Sequence, residues 1–90
     1  MITLLYFAWV RERIGRDEER LALPAGVTTV TALLDHLATL SPGHAAALAD
    51  RAAIRIAIDE DFVSSDAAIA GAREIAGARE IAIFPPVTGG

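Results

Sequence analysis

The hydrophobic residues of the chain follow two different periods, which predict strands near both ends and a helix between them. In ITLLYFAWV, at the start, bulky side chains fill both sets of alternate positions, as is typical of an inner strand covered on both faces. Ile2, Leu4 and Tyr6 are predicted to face the core. VRERIG then predicts one helical turn that stops at Gly15, and EERLALP predicts a short second strand that ends at Pro24. The opening segment is therefore expected to form a hairpin with a charged connection.

A helical spacing of apolar residues begins after Thr28. One helical face collects Val30, Leu33, Leu34, Leu37 and Leu40. The hydroxyl of Thr28 or Thr29 can cap the start of this main helix, and SPG at 41–43 is predicted to end it. The segment HAAALADRA predicts a second, weaker helix that packs through Leu48 and its neighbouring alanines.

The second half of the chain returns to the alternation of strands. In IRIAID the inward positions are Ile54, Ile56 and Ile58, DED predicts a turn, and FVSS predicts a short edge strand. REIAIF predicts the last strand, which runs directly into Pro85 and Pro86. The order ββαβ(β)β predicts an α+β fold in which one mixed sheet packs on the main helix.

The hexapeptide GAREIA occurs twice in succession, at 71–76 and at 77–82. A repeat this short does not indicate a repeat architecture. Either copy is able to enter the sheet, but only the second continues into IFPP. We therefore predict that the second copy forms the last strand and that the first forms a loop or a short helical turn. The predicted domain covers residues 1–84, and residues 85–90 are predicted to form a flexible, extended tail.

Composition narrows the possible functions. A chain of 90 residues with 53% hydrophobic composition predicts a single domain. The absence of cysteine excludes disulfides and thiolate metal sites, and the formal charge of −4 argues against nucleic-acid binding. The longest apolar stretch is too short to span a bilayer and lacks the features of a signal peptide, so no membrane association and a cytoplasmic location are expected.

Conventional catalytic and metal-binding motifs are not found in the sequence. His36 and His44 have no metal-ligand spacing and are predicted to lie at the surface or its boundary. The acidic runs Asp17–Glu19 and Asp59–Asp61 are predicted to be solvated turns. We therefore expect no metal and no cofactor bound by the chain itself, and no autonomous catalysis.

The ending FPPVTGG carries the most specific chemistry. Two prolines favour an extended path away from the last strand, and two glycines give a chain end thin enough to enter a narrow channel. The carboxylate of Gly90 must be activated, for example as a mixed anhydride with AMP, before a nucleophile replaces an oxygen. A sulfur nucleophile would give a thiocarboxylate, whereas a lysine amine would give an isopeptide bond. A frayed, functionally silent end is the plain alternative.

Three segments, MITLLYFAWVRERIG, TTVTALLDHL and EIAIFPPVTGG, resemble the small, sulfur-carrier subunits of molybdopterin synthase. These are β-grasp proteins related to ubiquitin and to the sulfur carrier of the thiamin pathway. The resemblance implies a β-grasp fold, and it implies that a partner activating enzyme using ATP and magnesium adenylates Gly90. The resemblance also implies that a sulfur donor then converts the adenylated end into a thiocarboxylate. The six residues of the second GAREIA look like an insertion relative to the family pattern.

The resemblance also implies the partner surfaces. The tail would enter a pocket of the large synthase subunit through Val87, Thr88, Gly89 and Gly90 and deliver sulfur to cyclic pyranopterin monophosphate, so that the catalytic pocket belongs to the large subunit of a heterotetramer. The implied partner-binding residues are Phe7, Arg11, Phe62, Phe84, Pro85 and Pro86. Three alternatives remain: a carrier of another pathway such as thiamin, a ubiquitin-like protein modifier, and an interaction module with an inert tail. The absence of lysine weighs against modifier chains linked through this protein.

Overall fold

A computed structural model describes residues 1–86. The strands are β1 (Ile2–Tyr6), β2 (Glu18–Leu21), β3 (Arg55–Ile58), β4 (Asp61–Phe62) and β5 (Glu80–Phe84). The helices are α1 (Ala8–Ile14), α2 (Val30–Ala38), α3 (Pro42–Ala47) and α4 (Ala67–Ala72), with a 3₁₀ turn at Arg51–Ala53.

The five strands form one mixed sheet in the order β2-β1-β5-β3-β4. β1 and β5 are parallel, and the other neighbouring strands are antiparallel. The predicted hairpin of β1 and β2 and the predicted α+β class are confirmed. Because the first and last strands run in the same direction, with Tyr6 opposite Ile83, the end of β1 and the end of β5 meet at one edge of the sheet.

The core lies between the inner face of the sheet and the helices. Its strand residues are those predicted from alternation, including Leu4, Tyr6, Ile56, Ile81 and Ile83. From α2 it receives Val30, Leu33, Leu34 and Leu37, and Thr29 caps this helix by accepting a hydrogen bond from the backbone N–H of Ala32 at 3.2 Å. The prediction for Leu40 is wrong. Helix α2 ends at Ala38, so Leu40 falls beyond the helical stripe and is 43% exposed.

The first strand is shorter than its hydrophobic run. The strand ends at Tyr6, and the chain turns at Ala8, whose φ is 53°, into α1. Val10 is consequently buried as a helix residue, because the run combines a strand with the start of an amphipathic helix. The expectation that both faces of β1 are covered is also wrong, since Thr3 and Leu5 on the outer face are only half-buried.

The SPG segment starts a helix instead of simply ending one. Ser41 caps α3 by accepting a hydrogen bond from the backbone N–H of His44 at 3.1 Å, and Pro42 occupies the first helical position. Proline is tolerated there because the first helical N–H groups have no partner within the helix. The predicted packing of this weaker helix through Leu48 and alanine is confirmed by the burial of Leu48 and Ala47.

The prediction of a surface or boundary position is wrong for His44, which is 6% exposed. Burial of its ring is tolerated because both nitrogens have hydrogen-bond partners. Nε2 lies 2.8 Å from Glu19 Oε1, and Nδ1 lies 2.7 Å from Ser41 Oγ. Glu19 likewise does not belong to a solvated turn, since it lies in β2 opposite the buried Leu4. His36 is half-buried at the boundary of the helical layer, as predicted.

The predicted turn after β3 is confirmed at Asp59 and Glu60, whose φ values are 48° and 75°. Asp61 already belongs to β4, and of the FVSS segment only Phe62 joins this edge strand. The Oδ1 atom of Asp59 accepts hydrogen bonds from the backbone N–H groups of Arg79 and Glu80, both at 2.9 Å. The turn therefore holds the start of β5.

The second GAREIA enters β5, as predicted, and the first covers the end of α4 and the following loop. Within residues 1–86, no helix is long and apolar enough to cross a membrane.

Candidate docking surface

A row of apolar residues crosses the outer face of the sheet. Strand register places Leu5 opposite Ala82, Ala82 opposite Ala57, and Ala57 opposite Phe62. Directly paired residues share a face, and these alternate along their strands with buried residues such as Leu4, so the row faces away from the helices. We call these four residues the outer apolar row.

Two aromatic rings meet at the end of this row. The ring centroids of Phe62 and Phe84 are 6.5 Å apart with an interplanar angle of 51°, within the range of favourable aromatic pairs. Phe62 is 55% exposed and Phe84 is half-buried. Contiguous apolar side chains that remain in contact with water are typical of an interaction surface.

Phe7 extends the apolar surface across the end of β1. Its backbone N–H donates to the carbonyl oxygen of Ile83 at 3.2 Å, so it adjoins the end of β5 one residue before Phe84. Its side chain is 47% exposed. Phe7 lies between β1 and α1 instead of continuing the strand. The outer apolar row, Phe7 and Phe84 together are called the docking surface below.

The other predicted partner-binding residues lie near the same end of the sheet. Arg11 is exposed on α1, and its backbone N–H contacts the carbonyl oxygen of Phe7 at 3.4 Å, one helical turn away. Pro85 is half-buried and Pro86 is exposed, and both follow Phe84 directly. Because proline has no N–H donor, the ladder of β5 ends here. The predicted tail residues Val87, Thr88, Gly89 and Gly90 lie outside the described residues.

A titratable cluster underlies this end of the sheet on its inner face. Burial acts to raise the pKa of the Glu19 carboxyl, but hydrogen bonds from His44 and Tyr6 and the nearby charge of Arg16 leave that pKa below its ordinary value. Burial, together with the hydrogen bond to Glu19, raises the pKa of the Tyr6 hydroxyl far above its ordinary value. Glu19 is thus held as a carboxylate and Tyr6 as a neutral donor at neutral pH.

Sequence reasoning found the aromatic residues of the docking surface but missed Ala57 and Ala82. Small residues carry little signal by themselves, and only the pairing register shows that they join Leu5 to Phe62 in one row. Among residues 1–86, no group of three or more histidine or acidic side chains is placed to hold a metal ion. The surface offers apolar contact beside the end of β5.

Comparison with known proteins agrees with this arrangement. The model of the ThiS family matches residues 4–90. The chain belongs to the ThiS family. It is 40% identical over 90 residues to the molybdopterin synthase sulfur carrier subunit of Escherichia coli (strain K12) and 34% identical to that of Haemophilus influenzae, with each alignment covering 100% of both chains. The sequence-based resemblance to sulfur-carrier subunits is confirmed.

The fold comparison gives the same result. The crystal structure of SAMP1 from Haloferax volcanii superposes with a TM-score of 0.65 at 28% identity, covering 99% of this chain and 98% of that chain. The predicted β-grasp fold is confirmed.

Proposed function

We propose that this ThiS-family chain is the sulfur-carrier subunit of a molybdopterin synthase. The observation that carries the proposal is the parallel pairing of β1 with β5, which brings Phe7 and Phe84 to the same end of the sheet from which the FPPVTGG segment continues. Similarity over the full length of two sulfur carrier subunits supports it. The docking surface binds the large subunit, and the tail reaches that subunit's pocket.

The chemistry requires two activation steps at the Gly90 carboxylate. In the activating enzyme, with magnesium bound to ATP, a carboxylate oxygen attacks the α-phosphorus and pyrophosphate leaves, which gives an acyl-adenylate. Hydrosulfide from a sulfur donor, which is sulfur at the oxidation level of sulfide, then attacks the acyl carbon, and AMP leaves with the oxygen. This exchange needs no oxidant or reductant, and the product is a thiocarboxylate. Its sulfur is nucleophilic and attacks cyclic pyranopterin monophosphate in the large-subunit pocket.

The docking surface supplies binding energy remote from this chemistry. Binding energy from apolar contacts far from a reacting group is able to fix its position, and exposed aromatic residues at the centre of an apolar surface are frequent hot spots. Arg11 supplies a charged rim one helical turn from Phe7. Pro85 and Pro86 then direct the chain out of the sheet, because neither continues the ladder.

A carrier for the thiamin pathway is the second candidate, since the family model that matches the chain is that of ThiS. A ubiquitin-like protein modifier is the third. These candidates share the activation of Gly90 and differ in the acceptor, so an experiment must follow where the activated end goes.

Intact mass after coexpression with a cognate activating enzyme and sulfur donor tests the carrier chemistry. We expect a mass increase equal to the replacement of one oxygen by sulfur, which is absent when Gly90 is deleted. The sulfur-loaded chain should then convert cyclic pyranopterin monophosphate when the large subunit is added. High-mass protein conjugates without the sulfur-loaded form would favour the modifier, and a loaded chain that fails with the large subunit would favour another pathway.

Phe84→Ala tests the docking surface. We expect large-subunit affinity to fall by roughly 30-fold, since truncation of a hot-spot aromatic costs about 2 kcal/mol or more. Leu40→Ala is the matched control, because Leu40 is also a partly exposed apolar residue but lies beyond α2. Titration calorimetry with purified large subunit measures both variants. Equal affinity of the two variants would remove Phe84 from the interface.

A further inference from the structure

A buried polar network lies on the inner face of the sheet beneath the docking surface. Oε1 of Glu19 accepts a hydrogen bond from the hydroxyl of Tyr6 at 2.8 Å and lies 2.8 Å from Nε2 of His44. Oε2 of Glu19 accepts from Arg16 at 3.0 Å, and Nδ1 of His44 lies 2.7 Å from Oγ of Ser41. The network therefore joins β2 to the last residue of β1 and to the first turn of α3.

The members of the network satisfy one another. Nε2 of His44 donates to Glu19, because a carboxylate oxygen is only an acceptor, and Nδ1 is paired with Oγ of Ser41. Oγ of Ser41 also accepts the backbone N–H of His44 at 3.1 Å, so one serine side chain contacts both the ring and the backbone of His44. Among the described residues, no buried side-chain nitrogen or oxygen lacks a hydrogen-bond partner. A satisfied buried network of this kind specifies one arrangement of the elements that it joins.

The chain next to this network adopts a disfavoured backbone conformation. Ala8 has a φ of 53°, in the left-handed region that residues with a Cβ atom rarely occupy. It follows the exposed Phe7 and begins α1. Such a conformation persists only where the surroundings hold it. Here Tyr6, 1% exposed, anchors the chain before the turn, and Val10, 0% exposed, anchors it after the turn.

The Tyr6 anchor also adjoins the last strand. Tyr6 is paired with Ile83, and the next residue, Phe7, donates its N–H to the same residue's carbonyl oxygen. Tyr6 therefore directly precedes Phe7 in the chain and lies opposite the residue that precedes Phe84. The hydroxyl of Tyr6 links this part of β1 to the carboxylate of Glu19.

We propose that Glu19 is a positioning residue, which holds the Tyr6 hydroxyl and thereby fixes the strained turn that presents Phe7 beside Phe84. The proposal rests on the proposed function in one respect, namely that Phe7 and Phe84 bind the large subunit. The positioning itself is a property of the free chain and is measurable without a partner.

Ionisation of Glu19 provides a readout that a purely structural role would not give. The titratable and charged groups that face its carboxylate are Tyr6 from β1, His44 from α3 and Arg16 from the segment before β2. Their contacts hold the pKa of Glu19 below its ordinary value of 4.5. The stabilisation from the carboxylate is therefore present above pH 4.5 and is lost as the pH falls through the lower pKa of the folded chain.

The first test is an NMR titration of the free, full-length chain from neutral pH to acid pH. We expect the amide signals of Phe7, Ala8 and Phe84 to follow one common transition below pH 4.5, and we expect Glu19→Gln to abolish it. Arg51→Ala, which breaks the exposed ion pair with Asp35, is the control and should keep the transition. Tyr6→Phe preserves the buried ring and serves as a second variant if Glu19→Gln does not fold. Unchanged transitions in the variants would overturn the proposal.

The second test measures affinity for purified large subunit at neutral pH. Tyr6→Phe should bind about tenfold more weakly, as expected for the loss of one hydrogen bond to a charged group. His44→Gln, which retains an N–H donor toward Glu19, should bind more tightly than His44→Leu. Wild-type affinity of Tyr6→Phe would overturn the proposal. Failure of the wild-type chain to bind would instead contradict the proposed function, while the NMR titration would still decide the role of Glu19.

Discussion

The two copies of GAREIA have the same six residues in the same order and adopt different structures. In the first copy, Gly71 lies in α4, and Ile75 lies in the loop that follows. In the second, Gly77 is a turn residue with a φ of 81°, and Ile81 lies in β5. The hexapeptide therefore does not specify its own secondary structure.

The residues outside each copy decide the difference. Before the first copy, Asp66 caps α4, its Oδ1 accepting the N–H groups of Ala68 at 2.9 Å and Ile69 at 3.1 Å. The second copy begins at a turn and has no capping residue before it. It is followed by IFPP, which supplies Ile83 and Phe84 for β5. If the first copy entered β5 with the same register, Gly77 would replace the buried Ile83. Loss of that apolar burial disfavours the shifted register.

One property survives the change of structure, because each isoleucine reaches the core. Ile75 is 4% exposed and Ile81 is 0% exposed. The first copy also forms an isolated antiparallel bridge between Glu74 and Thr29, so its loop is tied to the start of the main helix. The duplication thus adds a second core contact instead of a solvated loop.

The largest expected loss of stability comes from truncating the two isoleucines to alanine. Ile81→Ala should lower the free energy of unfolding by about 4 kcal/mol, near the upper part of the range for large-to-small core substitutions, because β1 and β3 flank it on both sides. Ile75→Ala, at the edge of the core, should cost about 2 kcal/mol. Urea unfolding of both variants measures the difference. Equal losses would show that the two copies contribute equally to the core.

Alanine in place of glycine should be opposed by backbone conformation in the second copy and by one side-chain contact in the first. Gly77→Ala should destabilise by about 1–2 kcal/mol, since its positive φ is strained for any residue with a Cβ atom even though the space around it is open. A Cβ atom at Gly71 would instead overlap Oγ1 of Thr31, a side chain on α2. In a Thr31→Ala background, Gly71→Ala should stabilise by up to about 1 kcal/mol through helix propensity.

Thermal unfolding is measured for the two single variants, Gly71→Ala and Thr31→Ala, and for the double variant. The comparison separates the effect of the overlap with Thr31 from the effect of helix propensity at position 71. Stabilisation by Gly77→Ala would contradict the assignment of Gly77 to a left-handed turn. Destabilisation by Gly71→Ala after removal of the Thr31 hydroxyl would contradict the helical role of Gly71.

Much of this architecture followed from the sequence, and the exceptions have identifiable causes. The alternation in REIAIF and the continuation into IFPP were sufficient to place the second copy in the sheet. The end of β1 was missed because the hydrophobic run of the strand continues into α1 through Val10, and the change of period is too short to detect. His44 was misplaced because its partner Glu19 lies 25 residues away in the chain, so nothing local indicates that both are buried together.

The docking surface was predictable in part for the same reasons. Phe7, Phe62 and Phe84 were identified from the family resemblance, and the structure places Phe7 and Phe84 at one end of the sheet and the ring of Phe62 beside that of Phe84. Ala57 and Ala82 were missed, because only the register of three strand pairs brings them between Leu5 and Phe62. The roles of these residues in partner binding remain predictions.

The smallest expected losses of stability come from replacing two aspartates. These accept hydrogen bonds from backbone N–H groups just before the first copy and within the second copy. Asp66→Ala removes the cap of α4, and Asp59→Ala removes the carboxylate that accepts the N–H groups of Arg79 and Glu80. Each should cost about 1 kcal/mol, the usual loss for a side-chain cap.

Global stability alone would not distinguish the two variants, but amide hydrogen exchange should. Asp66→Ala should accelerate exchange at Ala70, and Asp59→Ala should accelerate it in residues 79–81. If each variant accelerated exchange in both copies, the copies would unfold as one cooperative unit, and the difference in their structures would have no counterpart in local stability.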